Sequence, residues 1–305
     1  MPTLSVVIPA LNEAENVPHV IACIPRDELS HAGWETEIIF VDNGSTDGTG
    51  DIAAALGAKV CVEPRRGYGN AYAAGFAAAS GDVIATGDAD CTYPFDALPQ
   101  LLDLLVLRGL DFLSTDRLSR ANRDAMKPSH VAGNHLLTLA SRALFPASPF
   151  RDSQSGMWIF RREIWQDLDV RSPGMPFSQE IKNEAFLKGF ICDETAIEYR
   201  PRGGVVKLHA ARDGLRNASQ LVAHRLRGRR VRTRAAVQAA VLFTENTVLE
   251  RAAMVLPLDG SPHPRPTSAS NPGLRGADGR SSRNWVVSPR TAPDDVDAIV
   301  QEHAS

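Results

Sequence analysis

Gly81-Asp82-Val83-Ile84-Ala85-Thr86-Gly87-Asp88-Ala89-Asp90 holds a short apolar strand, Val83–Thr86, that runs directly into two carboxylates. Two acids at the end of a buried strand are costly unless a cation joins them. An oxygen-preferring Mg²⁺ or Mn²⁺ that also grips a diphosphate meets that need. A D-x-D spelling alone equally describes a solvated turn, so its weight rests on its neighbours. Upstream, strands are expected at Leu4–Ile8, Glu37–Val41 and Lys59–Val62. Helices are expected between them at Glu13–Ile24, with Asn12 as N-cap and Glu15 at the third helical position, at Asp47–Leu56 and at Ala71–Ala79. Downstream come a helix at Phe95–Leu107 and a strand at Asp111–Ser114. Strands alternating with helices in this way predict an α/β fold with a mostly parallel central sheet and helices on both faces.

Such sheets bind ligands at the carboxyl ends of their strands. Those ends read Pro9-Ala10-Leu11-Asn12-Glu13, Asp42-Asn43-Gly44-Ser45-Thr46-Asp47 and Asp88-Ala89-Asp90. One polar cluster is turn chemistry; three at three strand ends signal a site. The segment from Asp42 to Thr49 reads as a turn followed by a capped helix. It reads equally well as a nucleoside contact, with the Asp42 carboxylate on base N–H groups and neighbouring amides and hydroxyls around the ribose. Arg65-Arg66-Gly67-Tyr68-Gly69-Asn70 lacks the third glycine of a dinucleotide loop, since Tyr72 stands in its place, and it follows the third strand rather than the first. Two arginines on a glycine-bearing loop that opens a helix still make a candidate anion site. The phosphate-loop, G-x-S-x-G and H-E-x-x-H signatures are absent, which argues against P-loop ATPases and two large hydrolase classes.

Beyond residue 115 the pattern loosens. Arg117–His130 reads as a loop, Val131–Phe145 and Gln179–Lys188 as helices, and Gly156–Phe160 and Ala196–Tyr199 as strands. Ala210–Leu226 reads as a basic amphipathic helix and Ala235–Val255 as a further helical segment. The 49 residues from Pro257 hold 7 Pro, 7 Ser and 4 Gly, the composition of a disordered tail.

The 305 residues are 43% hydrophobic and 23% charged, an ordinary globular composition. Four cysteines about 30 to 100 residues apart form no zinc or disulfide pattern, so free thiols in a reducing compartment are expected. The N-terminus lacks the basic and apolar regions of a signal peptide. No apolar stretch reaches the ~18 residues of a membrane span. The expectation is a cytoplasmic protein, at most peripheral at the inner face of the membrane. Net charge is −3 but uneven: 16 Lys+Arg face 27 Asp+Glu in residues 1–199, 11 face 1 in residues 200–234, and 6 face 8 thereafter. A basic block behind an acidic body implies an anionic partner. Residues 212–234, with Leu215, Leu221, Val222 and Leu226 among the charges, suit either a helix lying on an anionic membrane or a solvated helix packed on the body.

Taken together, Val7-Ile8-Pro9-Ala10-Leu11-Asn12-Glu13, Val41-Asp42-Asn43-Gly44-Ser45-Thr46-Asp47-Gly48-Thr49, the Gly67/Gly69 loop and Gly87-Asp88-Ala89-Asp90 resemble family 2 of the glycosyltransferases. Within it, the chain is most similar to the branch of dolichol-phosphate (polyprenyl-phosphate) mannose and glucose synthases. The resemblance covers roughly residues 3–220. It implies a GT-A nucleotide-sugar-binding fold and an inverting transfer from a nucleotide diphosphate sugar, UDP- or GDP-linked. It further implies nucleoside contacts from Pro9, Leu11, Glu13 and Asp42, supported by Asn12, Ser45 and Asp47. Arg65, Gly69 and Asn70 fall on the donor side. Asp88 and Asp90, with Ala89 between them, are implied to hold Mg²⁺ or Mn²⁺ and through it the diphosphate; Thr92 stands where the branch commonly has Gln. Arg117 is implied as a phosphate contact, Asp152-Ser153-Gln154-Ser155-Gly156 as the acceptor segment, and Glu180 as part of a helix lining the same cleft. Arg202 and Lys207 belong to a loop that closes over the diphosphate.

Two acceptors remain open. A polyprenyl phosphate is already anionic and needs cations such as Arg117, Arg202 and Lys207 rather than a base. A hydroxyl of a small molecule needs a carboxylate, Asp152 or Glu180, to take its proton. Residues 1–115 are thus expected to bind nucleotide sugar and metal, and residues 116–230 to bind the acceptor. Residues 231–256 are a candidate helical extension and residues 257–305 a tail. A sugar-phosphate nucleotidyltransferase would need a basic glycine-rich loop after the first strand, where Pro9–Glu13 stands. A non-catalytic binder of membrane or nucleic acid is the remaining class; the acidic body disfavours nucleic acid as a partner.

Overall fold

The computed structural model describes residues 1–119, 122, 125–126, 128–202 and 210–227, with the side chains of 210–213 outside that description. The expected extension at 231–256, the tail at 257–305 and Lys207 lie outside the described residues.

The chain alternates strand and helix: β1 Thr3–Ala10, α1 Val17–Ala22, α2 Arg26–His31, β2 Glu35–Asp42, α3 Thr49–Ala55, β3 Lys59–Val62, α4 Tyr68–Ala78, β4 Val83–Thr86 and α5 Leu98–Leu107. It continues with β5 Phe112–Asp116, α6 Pro128–Leu144, β6 Trp158–Arg161, α7 Phe177–Lys188, β7 Cys192–Ala196 and α8 Ala210–Arg227. Among the described residues the strands form one sheet in the order β3-β2-β1-β4-β6-β5-β7. All run parallel except β6, which is antiparallel to both β4 and β5. The expected division at residue 115 falls inside β5, so both sides of it share this sheet.

Apart from Thr3 and Ser5, β1 is apolar, because both its faces are covered. Leu4, Val6 and Ile8 pack with α1, α2 and α5 on one side. Val7 joins Tyr72 and Phe76 of α4 and Phe177 and Ile181 of α7 on the other. α4 lies so close to the sheet that a Cβ on Gly75 would stand 2.3 Å from Val7 Cγ1. The chain passes from β1 outwards through β2 to β3, then returns to place β4 on the opposite side of β1. That reversal opens a crevice at the carboxyl ends of β1 and β4, where ligands of such sheets sit.

Two expected elements are corrected. α1 begins at Val17 rather than Glu13, and its N-cap residue is Asn16, not Asn12. Asn12 has φ +53°, and its side chain accepts from Thr46 N at 2.8 Å, so it is held in a loop. Pro18 suits only the first turn of a helix, which fixes the start beyond Glu15. β7 lies at Cys192–Ala196, earlier than the expected Ala196–Tyr199; it pairs with β5 alone and its five residues are all half-buried, so no apolar run marks it. α2 and a 3-10 segment over Arg162–Asp167 carry no strong sequence pattern.

Candidate active site

The loops after β1 and β2 are tied together by polar bonds. Asn12 N donates to Ser45 Oγ (3.0 Å), Glu13 N to Thr49 Oγ1 (2.9 Å), and Ala14 N to Asp47 Oδ2 (3.1 Å). Asp42 Oδ1 accepts from Ser45 N (2.8 Å), and Asn43 N donates to Ala10 O (2.9 Å). Burial pushes Asp47 upward, but the bonds from Thr49 and Ala14 outweigh it and hold the carboxyl below its usual range. Ser45 and Asp47 therefore brace the two loops against each other. Asn43 extends this bracing: its Nδ2 donates to Glu63 O and Arg65 O, and its Oδ1 accepts from Gly67 N (2.8 Å).

Between these loops and the end of β4 lies a cleft of about 210 Å³. Pro9, Leu11, Glu13, Asp88, Ala89, Asp90 and Arg202, all expected at the donor site, line it together. Asn43, Tyr68 and Met175 line it as well. Asp90 is 4% exposed; its Oδ1 accepts from Thr92 Oγ1 (2.6 Å) and Thr92 N (3.2 Å), while Oδ2 faces Arg202 Nη1 at 3.2 Å. Asp88 Oδ1 accepts from the hydroxyls of Tyr68 (3.2 Å) and Tyr72 (3.3 Å). Burial first, and then the charge of Asp90, raise the Asp88 carboxyl well above its usual range. Tyr68 and Tyr72 sit among aromatics, and nothing in the sequence marks them as supports of an acid.

This donor set suits one kind of cation. No group of three or more His, Cys, Asp or Glu side chains among the described residues is placed to hold a metal. A protein-enclosed ion such as structural zinc, with four protein ligands, does not fit. Two acids at a cleft wall do fit Mg²⁺ or Mn²⁺, which take their remaining oxygens from water and phosphate. The buried Nε of Arg202 has no hydrogen-bond partner among the described residues, an orphaned donor that an anion in the cleft would satisfy.

Several expected donor residues stand elsewhere. Arg65 is clamped to Glu63 through Nε (2.9 Å) and Nη2 (2.8 Å), with its side chain 74% exposed. Asn70 Nδ2 donates to Arg65 O (3.2 Å) and closes the loop on itself. A Cβ on Gly69 would lie 2.0 Å from Ser172 O, so this glycine admits the 172–173 backbone. Asp42 holds its own turn.

The second half carries a buried charge network. Arg117 donates from Nε (2.7 Å) and its backbone N (3.1 Å) to Asp152 Oδ2 and from Nη2 (3.0 Å) to Asp152 Oδ1. Its guanidinium lies 5.3 Å from the Tyr199 ring centre. Burial acts to raise Asp152, but Arg117's charge and bonds, with Lys182, hold its carboxyl below the usual range. Lys182, 1% exposed, donates to Asp152 O (2.6 Å) and Ser155 O (3.2 Å). Glu180 accepts from Ser172 N (2.8 Å), Arg171 N (3.2 Å) and Arg227. Asp152 and Glu180 thus sit beneath the surface with their oxygens engaged. Lys182 carries no sequence signal, because only the fold brings it under the Asp152–Ser155 turn.

The family model described as Glycosyl transferase family 2 matches residues 5–169. The chain is 38% identical over 218 residues to a low-salt glycan biosynthesis hexosyltransferase of Haloferax volcanii, a match covering 71% of this chain and 52% of that one; the chain therefore spans about half the length of that relative. It is 34% identical over 206 residues to a dolichyl-phosphate hexose transferase of the same organism, covering 67% and 86%. Among solved structures it resembles glucosyl-3-phosphoglycerate synthase from Mycobacterium tuberculosis in complex with Mn²⁺, uridine diphosphate and phosphoglyceric acid, at 25% identity and a TM-score of 0.56 over 74% of this chain and 78% of that one.

Proposed function

The chain belongs to glycosyl transferase family 2, and from that premise we propose that it moves a hexose, with inversion, from a nucleotide diphosphate sugar to a polyprenyl phosphate. The reading rests chiefly on one arrangement: two neighbouring acids at the cleft wall, one raised by burial, facing an arginine with an orphaned donor. A divalent cation and a diphosphate complete that charge pattern. The Mycobacterium synthase, crystallised with Mn²⁺ and uridine diphosphate, supports it.

Held by Asp88 and Asp90, Mg²⁺ or Mn²⁺ would neutralise charge on the leaving diphosphate. Tyr68 and Tyr72 orient Asp88, and Thr92 holds Asp90 Oδ1, so both carboxylates are positioned before the donor enters. Pro9, Leu11 and Glu13 form the nucleoside side, with Asp42, Ser45 and Asp47 bracing it. Arg202, beside Asp90 in the cleft lining, binds phosphate. In transfer, an acceptor phosphate oxygen bonds to the anomeric carbon while the bond to the diphosphate breaks and its electron pair leaves with the diphosphate. The named relative that uses dolichyl phosphate supports that acceptor. So does the engagement of Asp152 and Glu180: with both acids committed to Arg117, Arg171, Ser172 and Arg227, an acceptor that arrives without a proton to lose suits the site. Arg117 supplies the matching cation.

A second reading, a hydroxyl acceptor on a small phosphorylated acid, draws on the phosphoglyceric acid bound by the Mycobacterium synthase. One assay separates the two. UDP- and GDP-hexoses are offered with polyprenyl phosphate in detergent or with 3-phosphoglycerate, with Mn²⁺ or EDTA, and products are identified by mass. Hexosyl lipid phosphate, formed with Mn²⁺ and abolished by EDTA and by Asp88→Asn, is expected. Product from 3-phosphoglycerate alone would overturn the lipid acceptor.

A further inference from the structure

α6 and α8 pack against each other and against α7 with their polar sides inward. The buried residues of α6 are Thr138 and Ser141; Thr138 Oγ1 lies 3.2 Å from Ser153 Oγ, and Asn183 Nδ2 donates to Ser141 Oγ at 3.2 Å. α8 turns Asn217, Leu221 and His224 inward. Gln179 Nε2 donates to Asn217 O and Gln220 Oε1, both at 2.7 Å, and His224 Nε2 lies 2.8 Å from Glu184 Oε2. Leu221 apart, the exposed large apolar side chains of this pair lie on the other side: Leu136 and Leu139 on α6, and Leu215, Val222 and Leu226 on α8, are 52% to 74% exposed. Both helices therefore turn mainly polar groups towards the protein, with Leu221 as an apolar exception, and carry a stripe of large apolar side chains on the outside. Scattered exposed leucines need no explanation, but five large apolar residues on two adjacent helices do.

We propose that this α6–α8 face docks on an anionic lipid bilayer, with the five apolar side chains entering the boundary between headgroups and acyl chains. Charge selects a bilayer over an apolar protein partner. Exposed Arg142 and Arg216 and half-buried Arg225 border the face, and residues 200–234 carry 11 Lys+Arg against a single acid in a chain that is otherwise acidic. Apolar residues flanked by cations on a helix held parallel to a surface are the signature of interfacial binding to acidic lipid. Docking would bring a lipid-borne phosphate to the side of the molecule built from β5, α6 and α7, where Arg117 sits. The surface deepens the acceptor reading but does not rest on it, because vesicle binding is measured without sugar transfer.

The test uses the full chain and flotation with vesicles of phosphatidylcholine alone or with phosphatidylglycerol, at about 0.1 M and about 1 M NaCl, where screening lengths are roughly 10 and 3 Å. Two variants remove apolar surface without touching the cleft: Leu136→Gln with Leu139→Gln, and Leu215→Gln with Val222→Gln and Leu226→Gln. Because these side chains are exposed, melting temperature should be unchanged. The parent is expected to float with acidic vesicles at low salt, at least about tenfold less at high salt, and each variant at least about tenfold less than the parent. Absence of parent binding to any vesicle, or full binding by both variants, overturns the proposal. A change from dimer to monomer by light scattering in a variant would instead assign the face to a second copy. A marked fall in melting temperature without vesicle binding would assign it to another segment of this chain. Either result overturns the bilayer. Failure of transfer to polyprenyl phosphate with vesicle binding intact would sink the acceptor reading alone.

Discussion

Replacing Asp152 by Asn tests whether this acid serves Arg117 or serves the acceptor. The carboxylate takes two guanidinium bonds, at 2.7 and 3.0 Å, and the Arg117 amide at 3.1 Å, with side-chain exposures of 10% for Arg117 and 0% for Asp152. Solvent screening is therefore slight. An Asn presents one oxygen and one N–H₂, so one edge that accepted now meets donors, and Arg117 and Lys182 keep their charges without the anion between them. Charge-assisted bonds are each worth about 1.5–3 kcal/mol, and breaking one side of a buried pair costs about 3–5 kcal/mol. At roughly 2–4 °C per kcal/mol, Tm should fall by about 6–20 °C at pH 7. The pH dependence has a definite sign. A carboxyl held below its unfolded value of about 3.9 contributes stability above that pH and loses it as pH falls through the folded value. The gap between parent and variant should be full at neutral pH and close below about pH 4. Residual transferase activity should keep the parent's pH profile, since an acid acting as base would take the acid limb of the profile with it. Calorimetric melts across pH, with the pH–rate curve, check both parts. A Tm loss under about 3 °C, equivalent to roughly 1 kcal/mol, would refute the buried-pair argument.

Three further predictions draw on other parts of the molecule. Gly69→Ala would set a Cβ 2.0 Å from Ser172 O and 2.8 Å from Phe177 Cδ2, so Tm should fall by several degrees, for an overpacking cost of about 1–3 kcal/mol; an unchanged melt would mean that the 172–173 segment does not press on α4. Thr92→Val removes the 2.6 Å charge-assisted bond that fixes Asp90, so Tm should fall by a few degrees and calorimetric affinity for the Mn²⁺–nucleotide donor by about 10- to 100-fold; equal affinity would show that Asp90 needs no such restraint. In native-state hydrogen exchange, α6 and α8 should open at lower free energy than β1 and β4, because their inward faces hold few apolar contacts; uniform protection would contradict that.

What the sequence revealed follows from how local each signal is. β3 and β4 were legible to the residue, since short runs of strand-forming residues with a glycine on one side and an acid close behind are hard to misplace. The D-x-D acids and the first loop were legible for the same reason: each lies where a strand stops. Arg65 reads as a cation on a glycine-bearing loop, and sequence alone does not show that Glu63, two residues before it, takes the guanidinium. Asp152 was legible as important and illegible in role. Its partner Arg117 is 35 residues away, Lys182 is 30 residues away, and no periodicity encodes their meeting. Asn12 looked like a helix cap by composition, yet its side chain bonds to residue 46 in the loop after β2.

The two sides of the molecule are also held together by different physics. Around β1 and β4, apolar side chains on both faces of the sheet fix the backbone, and the donor-side acids hang from short loops braced to each other. Where α6 and α8 meet the side of α7 turned away from the sheet, cohesion comes largely from the Arg117–Asp152–Lys182 network, the Gln154–Gln179–Gln220 chain, and the Glu180–Arg227 and Glu184–His224 pairs. Buried polar networks contribute little net stability but penalise any arrangement that leaves a member unpaired. Such a layer has one acceptable geometry rather than a strong preference for burial as such. It can therefore turn its leucines outward without losing its own packing, as a layer glued by apolar contacts could not. The polar interior and the apolar exterior of α6 and α8 are two consequences of one design, in which Arg117 is positioned by charge and the outer surface is left for another phase.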